Sequence, residues 1–365
     1  MISGKTIFIA HGWSDVSLNY QAKALALKLS KDNKVVFLNA KKTSKSITII
    51  NDNLAVHEWP GKRPVGWKDF LFALKLMRKQ RPDVIITNFA ANDIMLFASW
   101  LIGIKKRVCY FHTMVQQHIE DYGKLDWRQR INIFRKGFAF RLATHMLPST
   151  NASKKDLVRY YKVKKEKAFV FPNALPDTII RNRSEDNTVG FLGRLHRSKG
   201  VDVLINAFKK INENNNDCHL VIVGKGPCEN ELKALVRQLS LEDKIIFKGA
   251  IAYDEVKIFL STLVCLVVSS RMDNLPTVAL EAFSVATPVI GSNAGGIPDI
   301  ISSGENGLLF ENENIEQLAK QLEYLLKNKE LRNFMSHNAR KTFEEKYCID
   351  QLLPRFENLL EKTSS

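Results

Sequence analysis

Residues Thr188–Ile211 read TVGFLGRLHRSKGVDVLINAFKKI, and this stretch decides the fold. The apolar run Thr188–Leu192 predicts a buried strand, Gly193 turns the chain, and a helix with apolar residues at helical spacing starts at Val201. A strand that leads into a helix through a short turn is the repeating unit of a parallel α/β sheet. Such a turn also places free backbone N–H groups and the positive end of the helix beside any bound phosphate.

Short apolar runs alternate with amphipathic segments along the whole chain, as is typical of α/β proteins with doubly wound parallel sheets. The predicted strands are Ile7–Ala10, Val35–Leu38, Val84–Thr87, Val108–Phe111, Thr188–Leu192, His219–Val223, Lys244–Phe247, Val264–Val268 and Pro288–Gly291. The predicted helices are Asn19–Leu29, Lys68–Lys79, Val201–Ile211, Glu229–Leu239, Thr277–Ser284 and a wholly helical tail, Asn338–Lys362.

The length of 365 residues predicts two domains. A segment rich in Pro, Asn and charged residues predicts a linker at residues 173–186. The first domain is then expected to span residues 1–172 and the second residues 187–349. We expect the end of the helical tail, roughly residues 350–365, to pack back on the first domain.

The charge of the chain is uneven. Residues 1–172 hold 31 Lys and Arg against 12 Asp and Glu, which gives +19, whereas the remainder carries −3. A strongly basic half indicates an anionic partner. Two of its stretches, Leu125–Leu142 and Trp59–Lys79, mix aromatic residues with cations, which suits an anionic membrane surface. An ordinary core helix with a solvated cationic face has the same composition, and no nucleic-acid-binding module is recognised.

Cysteine usage and hydropathy bear on the compartment. The five cysteines are scattered and no C-x-x-C occurs, which favours a reducing compartment. The longest apolar runs, Ile94–Ile104 and Ile258–Val268, have 11 residues each and are too short to span a bilayer. We therefore expect a cytoplasmic protein that attaches peripherally to the inner face of the cytoplasmic membrane.

Two of the cations in the glycine turn after the strand Thr188–Leu192 are candidates for binding a phosphate. Arg194 can donate two hydrogen bonds to phosphate oxygens, and Lys199 adds a point charge. A tight turn with two solvated cations is an equal alternative on spacing alone. The segment is neither a Walker A loop nor a G-x-G-x-x-G fingerprint.

Two carboxylates, Asp273 and Glu281, follow a predicted strand with seven residues between them. Glu281 lies on a predicted helix and could accept hydrogen bonds from both hydroxyls of a ribose. Asp273 and Asn274 lie in the loop before that helix, from which they could reach a sugar ring. The alternatives are a helix-capping acid for Asp273 and a solvated helix face for Glu281.

Two further candidates follow strands of the first domain. His112 comes directly after Val108–Phe111, and ligands of open α/β folds bind at that edge of the sheet, although a satisfied histidine at a strand end is as good an interpretation. Gly12 follows Ile7–Ala10 and could let the backbone approach a phosphate. The other histidines have no metal-ligand spacing and no D-x-D occurs, so a metal site is not predicted.

Residues 188–310 resemble the retaining glycosyltransferases of family 4, which have the GT-B fold. Four collinear motifs carry the resemblance: GRLHRSKGVDVLINAF, LVIVGKGPCENELKAL, IIFKGAI and DNLPTVALEAFSVATPVIGSNAGGIPDIISSGENGLLF. The last is similar to the E-x7-E region of the family. The first half resembles the family only loosely, as expected of an acceptor-binding domain.

The resemblance implies two Rossmann-like domains that face a cleft, with a nucleotide-sugar donor site mainly in the second. Arg194 and Lys199 would hold the diphosphate, and Glu281 would bind the donor ribose. Asp273 would face the transferred sugar, with Asn274 and Leu275 beside it.

For the first domain the resemblance implies that Gly12 approaches the phosphates and that His112 touches the sugar near the reacting carbon. Retention implies front-face attack by an acceptor hydroxyl, whose proton passes to the leaving diphosphate. The cations would act by stabilising the charge that develops. Neither a metal nor another cofactor is expected.

The sequence departs from the family pattern at three places. Asp273 replaces the first Glu of E-x7-E, in a DNLP version that resembles a recognised subset of the family and favours UDP-sugars over GDP-sugars. The loop HGWSDVS lacks the usual glycine pair, so that only Gly12 matches. The usual NG-x-D at the domain junction reads Asn173-Ala174-Leu175-Pro176, and no role is carried over there.

The sequence therefore predicts a retaining hexosyl- or N-acetylhexosaminyltransferase. It would move sugar from a UDP-sugar to a lipid-linked glycan acceptor at the membrane surface, in polysaccharide or glycan biosynthesis. A GT-B nucleotide-sugar epimerase is one alternative, and the basic first half argues against it. The other is a non-catalytic, glycosyltransferase-like binding subunit, which Arg194, Lys199 and Glu281 disfavour.

Overall fold

The computed structural model describes residues 3–12, 17–39, 47–61, 66–177, 187–213 and 217–361. The chain divides into two compact units: unit 1 is Met1–Val115, Leu125–Pro176 and Ile349–Ser365, and unit 2 is Gln116–Lys124 and Asp177–Cys348. Residues 13–16 of the loop after the first strand, 178–186 of the predicted linker and 362–365 of the tail lie outside the described residues.

Unit 1 is built on a seven-stranded sheet with the order β3-β4-β2-β1-β5-β6-β7. Its strands are β1 (Thr6–His11), β2 (Lys34–Asn39), β3 (Ile47–Asn51), β4 (Leu54–Glu58), β5 (Val84–Asn88), β6 (Lys106–Phe111) and β7 (His145–Pro148). Neighbouring strands are parallel except β3, which runs antiparallel to β4 at the sheet edge. Because β1 pairs with both β2 and β5, the strand order reverses there, and this reversal is the topological switch point of the sheet.

Helices cover both faces of this sheet. They are α1 (Ser17–Leu29), α2 (Trp67–Gln80), α3 (Asn92–Leu101), α5 (Trp127–Arg141) and α6 (Asn151–Tyr161). Helix α4 (Val115–Tyr122) starts in unit 1, and its residues from Gln116 onward belong to unit 2. Ile7 and Ile9 of β1 pack on the face covered by α1, and Phe8 and Ala10 pack on the face covered by α2 and α3. Both faces of β1 are therefore buried, which explains its uninterrupted apolar sequence.

Unit 2 is built on a six-stranded, fully parallel sheet with the order β10-β9-β8-β11-β12-β13. Its strands are β8 (Thr188–Leu192), β9 (His219–Val223), β10 (Ile245–Gly249), β11 (Cys265–Val268), β12 (Val289–Ser292) and β13 (Gly307–Phe310). Its helices are α7 (Val201–Glu213), α8 (Glu229–Gln238), α9 (Tyr253–Ser261), α10 (Thr277–Ser284), α11 (Ile315–Lys327) and α12 (Lys329–Lys346). The strand order reverses between β8 and β11.

The last helix, α13 (Ile349–Glu361), packs in unit 1. Its Leu352, Phe356 and Leu360 join the same core cluster as Ile7 and Ile9. The Ile349 N–H donates to the Leu175 carbonyl over 2.9 Å. The first domain is thus completed by the end of the chain.

The prediction of one continuous helix for the tail is wrong at Tyr347 and Cys348, which separate α12 from α13. The N–H groups of both residues donate to the Phe343 carbonyl, over 2.9 and 2.8 Å, and so end α12. Both side chains are buried, so the apolar pattern continues across the break and gives no local signal of it. Within the described residues no helix is long and apolar enough to cross a membrane.

Candidate active site

Two loops meet in unit 2 where the strand order reverses. One follows β8 and ends at Gly200, and the other follows β11 and contains Ser269 and Asp273. The Ser269 hydroxyl donates to the Lys199 carbonyl over 3.0 Å, and a Cβ added at Gly200 would lie 2.1 Å from the Ser269 carbonyl oxygen. Gly200 also has φ +60°, so the contact between the loops depends on a glycine.

The contact between the loops pairs Lys199 with Asp273. Lys199 Nζ lies 2.5 Å from Asp273 Oδ2, and the two side chains are only 15% and 11% exposed. Asp273 Oδ1 also accepts a hydrogen bond from the Asn274 N–H over 2.9 Å. Helix α10 begins after Pro276 without a side-chain cap, so Asp273 is not the capping acid that the sequence allowed. Separate roles were predicted for Lys199 and Asp273 from the sequence, and the structure shows that their side chains form an ion pair.

Arg194 differs from Lys199 because it is exposed and makes no ion pair with any of the described residues. The backbone around it is nevertheless fixed. The Gly193 N–H donates to Val223 O and the Leu195 N–H to Lys225 O, each over 3.0 Å. The turn thus holds a guanidinium that is available to an anion at the carboxyl end of β8.

Glu281 is buried on α10, so the alternative of a solvated helix face is wrong. Burial lowers the pKa of Lys257 on α9, and the nearby Glu281 carboxylate opposes that shift. No pattern in the sequence indicated that Lys257 would lie near Glu281. Asn274 and Leu275 are buried as well.

The glycine pair after β12 is required by its approach to Asp273. Gly295 has φ +59°, and a Cβ there would lie 2.0 Å from the Asp273 carbonyl oxygen. The Gly296 N–H donates to the same oxygen over 2.9 Å. The sequence placed this pair near the acids without identifying the contact.

His112 of unit 1 lies beside Asn88, at the carboxyl ends of the neighbouring strands β6 and β5. Its Nε2 is 2.9 Å from Asn88 Oδ1, so Nε2 is the donor in this pair. The Phe89 ring stacks on the imidazole at 4.7 Å. Burial, and secondly His11, lowers the pKa of His112 to about 3, so the imidazole is neutral and oriented at neutral pH.

Gly12 and His11 lie at the end of β1 in the same unit. A Cβ at Gly12 would be 2.8 Å from Ala90 Cβ, so this glycine is required by packing against the turn Phe89–Ala91. Both ring nitrogens of the buried His11 lack a hydrogen-bond partner among the described residues, and burial lowers its pKa to about 4. The predicted approach of Gly12 to a phosphate stays a prediction.

A further polar pair in unit 2 was missed. His196, between Arg194 and Lys199, places Nδ1 2.8 Å from Asp121 Oδ1, and the Tyr122 ring lies 5.8 Å from the imidazole. Asp121 is 75 positions earlier in the chain, so no local pattern indicated this pair. In the part of the chain that the structure describes, no group of three or more His, Cys, Asp or Glu could hold a metal ion.

The structure is similar to that of Anabaena HepE solved with UDP and glucose, with a TM-score of 0.77 and 16% sequence identity over 98% of this chain and 100% of that chain. This likeness confirms the predicted fold class, a GT-B protein with two Rossmann-like α/β domains. Family models then cover nearly the whole chain. The model described as Glycosyltransferase Family 4 matches residues 9–178, and that described as Glycosyl transferases group 1 matches residues 177–342. The chain therefore belongs to glycosyltransferase family 4, as its motifs predicted.

Two curated relatives illustrate the range of similarity. An uncharacterized glycosyltransferase of Methanocaldococcus jannaschii is 32% identical over 170 residues, which are 47% of this chain and 43% of that protein. The capsular polysaccharide biosynthesis glycosyltransferase CapM of Staphylococcus aureus is 22% identical over 339 residues, 84% of this chain and 85% of that protein. The chain spans about half the length of the curated relatives that it matches at 31–32% identity.

Proposed function

We propose that this protein is a retaining glycosyltransferase that uses a nucleotide-diphosphate sugar. The observation that carries the proposal is the contact of Lys199 with Asp273 in unit 2, near the reversal of strand order. Arg194 lies in the same loop as Lys199, and Glu281 is buried on the helix that follows Asp273. Ligands of open α/β sheets bind at such a reversal. Cations suit a diphosphate, and buried carboxylates suit sugar and ribose hydroxyls.

In this proposal the two cations bind the diphosphate differently. Arg194 takes phosphate oxygens directly, because no described residue holds its guanidinium. Lys199 keeps its contact with Asp273 and shares its charge with the incoming phosphate. Asp273 can then accept a hydrogen bond from a hydroxyl of the transferred sugar, and Glu281 accepts from the donor ribose.

The reaction breaks the bond between the anomeric carbon and the diphosphate oxygen. The acceptor hydroxyl attacks that carbon from the same face, and its proton passes to the diphosphate oxygen that leaves. Arg194 and Lys199 stabilise the negative charge that grows on the diphosphate. The predicted role of His112 stays a prediction; burial keeps the pKa of its imidazole at about 3, so this side chain is a neutral hydrogen-bonding group. No metal is required in this scheme.

A UDP-sugar is the proposed donor. Support comes from the resemblance of the DNLP segment to a subset of the family and from the similarity in fold to HepE, which was solved with UDP. CapM is named as a glycosyltransferase of capsular polysaccharide biosynthesis, and the similarity to it supports a role of this protein in polysaccharide or glycan assembly.

The proposed acceptor is a lipid-linked glycan at an anionic membrane surface, and helix α5 supports this. Its Trp127, Ile131, Phe134 and Phe138 follow helical spacing and are between 58% and 79% exposed. A core helix would bury such a stripe. The sequence of α5, WRQRINIFRKGFAFR, has five cations and no acid, as expected of a helix that lies on anionic lipid.

The donor site is tested by thermal unfolding with UDP and GDP. A ligand at a hundred times its Kd stabilises the folded state by about 2.7 kcal/mol. We expect UDP to raise the unfolding temperature, and Arg194→Met to remove that shift. Arg197→Met, at another exposed cation of the same loop, is the control and should retain it. A shift with GDP alone would overturn the donor, and no shift with either nucleotide would overturn the proposed function.

Membrane attachment is tested by sedimentation with vesicles of anionic or zwitterionic lipid. We expect binding to anionic vesicles that weakens with added salt and falls further in Phe134→Ser. Tyr324→Ser, which changes an exposed aromatic residue on α11, is the control. Equal binding to both lipids would contradict this part of the proposal.

A further inference from the structure

A groove of about 390 Å³ lies between α2, α3 and α5 in unit 1. Its main apolar walls are Trp67 and Phe70 from α2, Ile94 and Phe97 from α3, and Phe138 and Leu142 from α5. Two basic-aromatic stretches that were separate in the sequence therefore meet on the two sides of one concave surface.

The groove is lined mainly by hydrocarbon. Trp67, Phe70 and Phe97 form a continuous row, with ring centroids 5.2 and 5.6 Å apart. Its charged lining residues, Asp93 and Arg135, pair with each other at 3.2 Å. Trp67, Phe97 and Phe138 remain exposed, so an apolar ligand would remove aromatic surface from water, which is favourable by about 25 cal/mol per Å².

The groove reaches the turn Phe89–Ala91, which contacts the candidate residues Gly12 and His112 of unit 1. Ala90 lines the groove, and the same residue is the packing neighbour of Gly12. Phe89, the residue before it, stacks on His112. On α5, Phe138 belongs both to the groove and to the exposed stripe proposed to meet lipid. The groove thus connects the strand ends of unit 1 with its cationic aromatic face.

We propose that this groove binds the hydrocarbon chain of a lipid phosphate acceptor. The inference rests on the proposed function and names the substrate class more closely. Among the lining side chains, few apart from Asp93 and Arg135 could hydrogen-bond to a peptide backbone, and these two pair with each other. A hydrocarbon chain therefore fits the groove better than a peptide. The cations of α5 other than Arg135 complement the charge of a phosphate head group.

The test is calorimetric titration of the full chain with hexyl, octyl and decyl phosphate, each below its micelle concentration, and with inorganic phosphate. We expect affinity to rise with chain length, by up to about fourfold for each added methylene that is buried. Inorganic phosphate should bind far more weakly than decyl phosphate. Because no vesicle is present, the result does not depend on membrane attachment.

A matched pair of variants on one helix locates the site. Phe138→Asp puts a charge in the groove wall and should weaken decyl phosphate binding at least tenfold. Phe134→Asp makes the same change one turn earlier, outside the groove, and should leave that affinity within twofold. If Phe138→Asp fails to fold, Phe97→Ala, which removes a wall ring, should weaken decyl phosphate binding in its place.

Affinity that does not depend on chain length, or that both α5 variants reduce equally, would overturn the groove assignment. The nucleotide titration is a separate readout. Stabilisation by UDP without binding of decyl phosphate would reject the groove and keep the transferase. Binding of decyl phosphate that is sensitive to Phe138→Asp, without any nucleotide effect, would keep the groove as a lipid site and reject the transferase.

Discussion

Replacing Lys199 and replacing Arg194 are expected to change the stability of the protein by different amounts, although both residues are assigned to the diphosphate. Lys199→Met should destabilise the protein without ligand, because it leaves the Asp273 carboxylate buried without its cation. Arg194→Met should leave the free energy of unfolding within about 0.5 kcal/mol, because its side chain is exposed. Both variants should lose most of the stabilisation by UDP.

The size of the Lys199 effect follows from the pair. At 2.5 Å, and with an effective dielectric constant of about 20, the attraction is about 7 kcal/mol before the cost of desolvation is subtracted. Removing one partner of a buried ion pair typically costs about 3–5 kcal/mol. The residual exposure of 15% and 11% favours the lower value, about 3 kcal/mol. For a domain of this size that corresponds to a fall in Tm of about 6–12 °C.

The assay is thermal and urea unfolding of Lys199→Met, Asp273→Asn, the double variant and Arg194→Met. The double variant should be more stable than Lys199→Met, because it no longer buries an unpaired charge. Two results would refute the reasoning. One is a Lys199→Met protein as stable as the wild type, and the other is an Arg194→Met protein that is destabilised equally.

Three further predictions concern other parts of the site. The buried His11 resists protonation down to a pKa of about 4, whereas its unfolded counterpart takes up a proton near pH 6.5. The free energy of unfolding should therefore fall as the pH drops from about 6.5 to about 4, by about 1.4 kcal/mol per pH unit. In urea unfolding, His11→Met should flatten this dependence of the free energy on pH. An unchanged pH dependence in the variant would contradict the prediction. Gly12→Ala should lower the free energy of unfolding by about 1–3 kcal/mol, because its Cβ would lie 2.8 Å from Ala90 Cβ. A urea midpoint equal to that of the wild type would exclude the packing role of Gly12. Glu281→Gln should weaken calorimetric binding of UDP about tenfold or more while sparing inorganic pyrophosphate, and equal loss of both ligands would remove Glu281 from the ribose site.

The elements predicted best from the sequence are the strands that are buried on both faces. The strands Thr188–Leu192 and His219–Val223 have the predicted bounds, because a strand buried on both faces reads as an apolar run. The strand Ile47–Asn51 was missed, since it is an exposed, antiparallel edge strand. The strand His145–Pro148 was also missed, because it begins with His and ends with Pro, so its apolar run is only two residues long.

The contacts within the site could not be predicted from the sequence, for a different reason. Lys199 and Asp273 are 74 positions apart, and they meet because β8 and β11 are neighbours in the sheet. The residue types indicated their chemistry, but the strand order decided which of them would pair. In the same way, the composition of α5 indicated cations and aromatic residues, whereas only the packed structure shows which rings stay exposed.

The placement of α13 in unit 1 has a consequence for biosynthesis. A ribosome finishes residues 177–348 before it makes Leu352, Phe356 and Leu360, which complete the core around Ile7 and Ile9. Unit 2 can therefore fold during translation, while the part of the sheet face in unit 1 that α13 covers is still exposed. A fragment that stops at Pro176 should expose the same face and aggregate, and a synthetic peptide of residues 349–361 should rescue it in trans.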